Sequence, residues 1–171
     1  MSLMDKTADA ADVSRLLAGA AETIRKVRYC WLVTAAAEGG TRCRPMGWVP
    51  RDKGEDEWTL RFLTASRSHK AADMRCVDQV SVLFQHDPDD AYVTLTGKVS
   101  LAEGKPEIRK RWKAAYEAYF PDGPDHSSAI FVALDVTRLE LWIRGVTPEP
   151  FGLRTTVVER DATRRWHITP G

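Results

Sequence analysis

The sequence predicts a mainly β, α+β domain in which antiparallel strands close into a barrel, accompanied by an N-terminal helix and further short helices. Three observations carry this. Short runs of β-branched and aromatic residues recur along most of the chain, and Gly, Pro and Asp clusters separate them. The connections are mostly hairpin length, which favours antiparallel neighbours. Helical periodicity is confined to two main stretches. Closure of such strands into a barrel removes exposed edges.

Asp9 to Val27 reads as an amphipathic helix, with Val13, Leu16, Leu17, Ala20, Ile24 and Val27 at helical spacing and Asp9 or Asp12 as its start cap. Tyr29 to Ala36 then reads as a strand, Glu38-Gly39-Gly40 as a turn and Thr41 to Val49 as a second strand. Arg51 to Glu57 is a charged loop, Trp58 to Thr64 a third strand, and Ser68 to Cys76 a short helix. Gln79 to His86 and Ala91 to Leu101 form strands around the turn Asp87-Pro88-Asp89-Asp90. Pro106 to Phe120 reads as the second main helix, with Pro106 suited to a first turn, and Phe120 to Asp125 breaks it. Ala129 to Val136 and Arg138 to Ile143 read as two strands, followed by a Pro-containing connection from Val146 to Pro150. Thr155 to Arg160 and Arg165 to Thr169 close the chain as a hairpin around Asp161-Ala162-Thr163. The 171 residues contain no repeat, low-complexity tract or linker, and fit a single domain over 1–171, with 1–27 a helical segment packing on the barrel.

The charge balance, 25 basic against 24 acidic residues for a net charge of +1, argues against broad binding of nucleic acid or anionic membrane. No apolar run approaches the ~20 residues that span a bilayer. The polar N-terminus lacks a signal-peptide core, and Met4 reads as the natural start, with residues 1–3 a cloning remnant. Cys30, Cys43 and Cys76 are an odd number without CxxC spacing, so they read as buried or half-buried thiols of a cytoplasmic protein. His69, His86, His126 and His167 are scattered, and no structural metal is expected.

Two segments concentrate cations. Strand alternation puts Arg42, Arg44 and Met46 on one face of the second strand and Cys43 and Pro45 on the other. After the third strand, Thr64, Ser68 and Lys70 fall in a strand-to-helix turn, where helix amides and the helix dipole favour an anion. Spacing alone leaves two readings open: a phosphate site, or a solvated turn with an ordinary Ser cap. No Walker or Rossmann glycine loop is present.

The order and spacing of these segments resemble the pyridoxamine 5′-phosphate oxidase-like family of FMN-binding split β-barrels, and within it the small bacterial general stress proteins. The resemblance runs from about Tyr29 to Pro170. Arg44-Pro45-Met46-Gly47-Trp48 resembles the family's second-strand motif, Leu63-Thr64 its strand end, and Ser68-His69-Lys70 its phosphate turn. Val80 to Phe84 and Thr96 to Val99 resemble the strands that follow. Trp112 and Phe120-Pro121-Asp122-Gly123 are similar to the stress-protein helix and turn, and Leu139-Glu140-Leu141-Trp142 to a late strand.

The resemblance implies a homodimer with FMN at the subunit interface. Arg44 would hold the phosphate or the pyrimidine edge. Pro45 and Met46 would set backbone groups beside the ring. Leu63 and Thr64 would line the ring and ribityl region, Ser68, His69 and Lys70 would bind phosphate, and Trp142 would close the pocket from the other chain. Trp112 is read as core, and Gln85 and Tyr92 are weaker pocket candidates. No residue stands out as an obligate acid or base.

Two departures bear on substrate. The oxidase's second-strand motif ends in a substrate-binding Lys, where this chain has Val49, and its late Arg-x-His pair has no clean match between Pro148 and Arg154. The resemblance therefore implies an FMN-dependent oxidoreductase acting on something other than pyridoxamine 5′-phosphate. The alternatives are a non-catalytic flavin-binding stress or sensor protein, a split barrel using deazaflavin or haem, and one that has lost its cofactor.

Overall fold

A computed structural model describes residues 3–169, with side chains from Ala10 onward. Pro170, which the resemblance includes, lies outside the described residues. Among these, α1 spans Leu3–Lys26, β1 Tyr29–Ala35, β2 Thr41–Val49, β3 Thr59–Ala65, α2 His69–Cys76, β4 Gln79–His86, β5 Ala91–Ala102, α3 Lys105–Arg111, α4 Gly123–His126, β6 Ala129–Ile143, β7 Thr156–Arg160 and β8 Trp166–Thr169. Short 3-10 turns cover Asp87–Asp89 and Ala114–Ala118. The strands run β3-β2-β1-β4-β5-β6-β7-β8, and β3 pairs back to β6. Six strands thus form a closed antiparallel ring, the split-barrel fold, with β7 and β8 extending it.

Four expectations need correction. The first helix begins at Leu3, well before Asp9, because no Gly or Pro interrupts residues 3–9. Asp9 and Asp12 therefore lie inside it, and Asp12 caps nothing but pairs with Arg15 at 3.3 Å. The second main helix is two pieces, α3 and the 3-10 turn, because Trp112 (ψ 139) and Lys113 (ψ 144) are extended. That break lets Trp112 meet Tyr116 and Phe120 edge to face, at 5.8 and 6.5 Å, while Tyr116 meets Phe131 at 5.9 Å. Such aromatic pairs contribute ~0.5–1.5 kcal/mol each, enough to outweigh a turn of exposed helix. The two strands expected over 129–143 are one, since only the partner changes: β6 pairs with β3 as far as Asp135 and with β7 from Arg138. Finally, only Cys30 is buried, and its burial pushes the thiol pKa up to about 12, whereas Cys43 and Cys76 are exposed on β2 and at the end of α2.

The chain divides into two compact units. One comprises the residues up to Trp31, Ser81–Thr96 and those from Thr137 on. Here α1 buries Val13, Leu16 and Ala20, as its spacing requires, and packs on β8. Burial of an aliphatic side chain contributes ~1.5–3 kcal/mol. The inward residues of β4, β5, β6 and β7, such as Phe84, Leu95, Leu141 and Val158, supply the rest of the core. Gln85 and Tyr92 both donate to the Asp87 carboxylate at the β4–β5 turn.

The other unit comprises Leu32–Val80 and Gly97–Val136. In β3 and β6, Leu63 stands opposite Phe131 and Thr64 opposite Ile130. Ile108, Tyr116 and Phe131 form a buried cluster, against which Val49, Leu63 and Trp112 pack. The core placement of Trp112 follows. Gly97 in β5 lies so close to β6 that a Cβ there would fall 1.9 Å from the Asp135 carbonyl oxygen.

Candidate functional site

The cationic face of β2 is built by simple alternation: Arg42 and Arg44 are half-buried and Met46 buried, while Cys43 and Pro45 point outward. What faces the arginines is a carboxylate. Asp73, on α2, is 2% exposed. The Thr34 hydroxyl donates to its Oδ2 at 2.8 Å, the Arg42 guanidinium to its Oδ1 at 2.6 Å and the Arg44 guanidinium to its Oδ2 at 3.2 Å. Arg44 also donates to the Thr34 hydroxyl oxygen at 2.6 Å, so it reaches Asp73 both directly and through Thr34. Burial by itself would raise the Asp73 pKa, but the Thr34 hydroxyl and the two guanidinium groups outweigh it and hold the carboxyl below its usual range. Arg42 pairs in addition with the exposed Glu38.

The turn into α2 has the anion-favouring form. Ser68 is its N-cap, extended at ψ 151, and its hydroxyl accepts from the Ala71 amide at 3.3 Å. The Thr64 hydroxyl, buried at the end of β3, lies 3.4 Å from that of Ser68. The first turn of α2 carries no acidic residue, so its dipole is not neutralised locally. Lys70 is half-buried here, and its pKa is lowered by burial and by the positive charge of Arg44. Among the described residues no carboxylate pairs with it. Arg42, Cys43, Arg44 and the exposed His69 line an open depression of ≈ 450 Å³.

The structure therefore brings together Arg44, Thr34, Asp73 and Arg42, with Thr64, Ser68, His69 and Lys70 around the start of α2. Ser68 serves as an ordinary cap, and the same hydroxyl stands at a cationic helix N-terminus. Leu63 packs on the Ile108, Tyr116 and Phe131 cluster. Trp142 belongs to the other unit, half-buried on β6 between the buried Leu141 and Ile143. Sequence reasoning placed Arg42 on the cationic face but missed Thr34 and Asp73. The available signal was Asp73 beside Ala71 and Met74 on the buried side of a short helix, since a buried carboxylate demands a charged or hydrogen-bonding partner.

A second polar cluster ties the loop before β3. Arg61, whose side chain is 7% exposed, donates through Nε to Glu55 at 2.7 Å and through a second nitrogen to the other carboxylate oxygen. Asp52 stands 2.8 Å from Arg111 Nε.

The residues predicted to hold a phosphate fit one: cations outnumber the buried carboxylate, a helix N-terminus opens beside them, and among the described residues no carboxylate pairs with Lys70. Among the described residues no helix is long and apolar enough to cross a membrane. A comparison with curated proteins gives no match. Solved structures of similar fold include a pyridoxamine 5′-phosphate oxidase-related, FMN-binding protein from Nostoc punctiforme, at 15% identity and TM-score 0.67 over 99% of this chain and 98% of that one. General Stress Protein 26 from Bacillus anthracis matches at 17% identity and TM-score 0.59, over 74% of this chain and 93% of that one. PhzG from Burkholderia lata, solved with tetrahydrophenazine-1-carboxylic acid, matches at 17% identity and TM-score 0.62, over 98% and 89%. Over residues 17–152 the sequence matches the family described as "Pyridoxamine 5'-phosphate oxidase like", and the chain belongs to that family.

Proposed function

We propose that this chain binds FMN and serves as an FMN-dependent oxidoreductase on a substrate other than pyridoxamine 5′-phosphate. The observation that carries the reading is the cluster at α2: Arg42, Arg44 and Lys70 against one buried carboxylate, at a capped helix N-terminus free of acidic residues. A phosphomonoester dianion meets what such a cluster offers, namely charge-assisted donors, a hydroxyl and helix amides. Lys70 and Arg44 would hold the phosphate with Ser68 and His69, Thr64 would face the ribityl chain, and Pro45, Met46 and Leu63 would border the ring. When bound, FMN supplies the hydride and electron chemistry, and the chain's part is binding, orientation and local charge.

The exclusion of pyridoxamine 5′-phosphate rests on Val49, half-buried against the aromatic cluster, at the position where the resemblance to the oxidase implies a Lys. Pyridoxamine 5′-phosphate should accordingly turn over slowly or not at all with FMN and oxygen present. A homodimer is favoured by β1 and its sheet neighbour β4, which expose Tyr29, Trp31 and Leu83. An apolar patch of this kind supports an isologous homodimer, with FMN at the interface and Trp142 contributed across it. Cys30, Cys43 and Cys76 are free thiols, as in the cytoplasmic setting we propose.

The test is titration of the apoprotein with FMN, FAD and riboflavin, followed by flavin fluorescence. FMN should saturate at micromolar concentration. Lys70→Ala should weaken it by about 1.5–3 kcal/mol, the scale of a hydrogen bond to a charged group. Absence of saturable FMN binding refutes the reading. The absorbance of the purified protein separates FMN from deazaflavin or haem. No obligate acid or base stands out among the expected site residues, which favours one further reading, a flavin-binding module without turnover. Tight FMN binding with no reductase activity toward NADH or NADPH would support it.

A further inference from the structure

A buried carboxylate in a site for an anion is, on charge alone, misplaced. Asp73 opposes any phosphate that Arg42, Arg44 and Lys70 would attract. Yet it is fully engaged: the Thr34 hydroxyl and both guanidinium groups donate to it, at 2.6 to 3.2 Å. Arg44 in turn is fixed at three points. It reaches Thr34 at 2.6 Å, the Arg42 carbonyl oxygen at 3.2 Å and Asp73 at 3.2 Å. Two arginines two residues apart on one strand face repel each other, and their long side chains carry considerable rotamer freedom. A shared buried anion counters both effects and leaves their remaining N–H groups directed by a rigid support.

We propose that Asp73, acting with Thr34, is a positioning residue that holds Arg44 and Arg42 in register for the phosphate of the bound ligand. The proposal rests on the FMN reading and goes beyond it, because it assigns the site a residue whose charge opposes the ligand. Two physical effects make opposite predictions. If long-range charge dominates, removal of the Asp73 charge strengthens phosphate binding. If preorganisation dominates, removal weakens it, because an arginine that must be ordered on binding contributes less.

The experiment measures the affinity of wild type, Asp73→Asn and Thr34→Val for FMN and for riboflavin, which differ only in the phosphate. Asp73→Asn keeps the shape and removes the charge. Thr34→Val keeps every charge and removes the bridging hydroxyl, and it remains informative if Asp73→Asn folds poorly. Wild type should prefer FMN strongly. Both variants should lose that preference by roughly tenfold or more while riboflavin affinity holds. General damage to the fold would instead lower both affinities together, leave the ratio intact and overturn the positioning role. An unchanged or enhanced FMN preference in both variants would also overturn it and leave the FMN site standing. A wild type indifferent to the phosphate would refute the FMN reading itself, and the role of Asp73 with it.

Discussion

Replacement of Gly97 by Ala should be among the most damaging single-methyl changes in this protein. The position is buried in β5, and the added Cβ would lie 1.9 Å from the Asp135 carbonyl oxygen, 2.8 Å from its carbonyl carbon and 3.0 Å from Val136 Cα. A relaxed contact needs ~3.5 Å, so the overlap with the oxygen alone is ~1.6 Å. All three obstacles are backbone, so no side-chain rotamer relieves the clash. Overpacking in a core that can adjust side chains costs about 1–3 kcal/mol. Here a strand must shift by more than 1 Å, and the expected loss is about 3–5 kcal/mol, a large share of the ~5–15 kcal/mol that holds a typical domain folded. At ~2–4 °C per kcal/mol for this chain length, the melting temperature should fall by roughly 6–20 °C. Urea unfolding measures the loss directly. Gly104→Ala is the control, because its Cβ would meet only Pro106 Cδ at 3.9 Å and should leave stability within about 1 kcal/mol. A Gly97→Ala protein as stable as that control would refute the steric argument.

Three further outcomes are expected. Glu55→Gln should destabilise by about 1–3 kcal/mol in urea, because it leaves the buried Arg61 guanidinium facing only Asp52 at 3.9 Å, whereas the double variant Glu55→Gln/Arg61→Met, which leaves neither charge of the pair, should recover part of that loss. Asp73, with its pKa depressed in the fold, contributes stability present above its ordinary value of 3.8 and lost as pH falls through the lower folded value; Asp73→Asn should flatten stability over that acid range, and an unchanged pH profile would contradict it. Trp142→Ala should weaken both FMN binding and self-association in sedimentation experiments with and without FMN. A stable monomer with wild-type FMN affinity would remove the interface from the functional picture.

The strand positions were legible because burial imposes alternation. β2 and β4 fall at the expected limits, and the Arg42, Arg44 and Met46 face is where alternation puts it. The Ser68 cap was legible for a local reason, since its chemistry is complete within four residues. What escaped were effects decided by distant partners. Trp112 and Lys113 leave the helix because Tyr116, Phe120 and Phe131 gather around the Trp112 ring and Tyr116, and nothing within the segment itself signals that. Asp73 lies 31 residues from Arg42 and 39 from Thr34, so its role exists only once β1, β2 and α2 are folded.

The half-buried Lys70 has a chemical consequence apart from binding. A lysine whose ammonium form is disfavoured by burial and by a neighbouring guanidinium carries more neutral amine at physiological pH than a solvated one. Neutral amine is the nucleophile. Lys70 should therefore be acylated faster than exposed lysines such as Lys53 and Lys110 when reagent is limiting. An anion seated beside it would restore the ammonium and silence that reactivity, so the modification rate of one side chain becomes a reporter of occupancy that needs neither colour nor turnover.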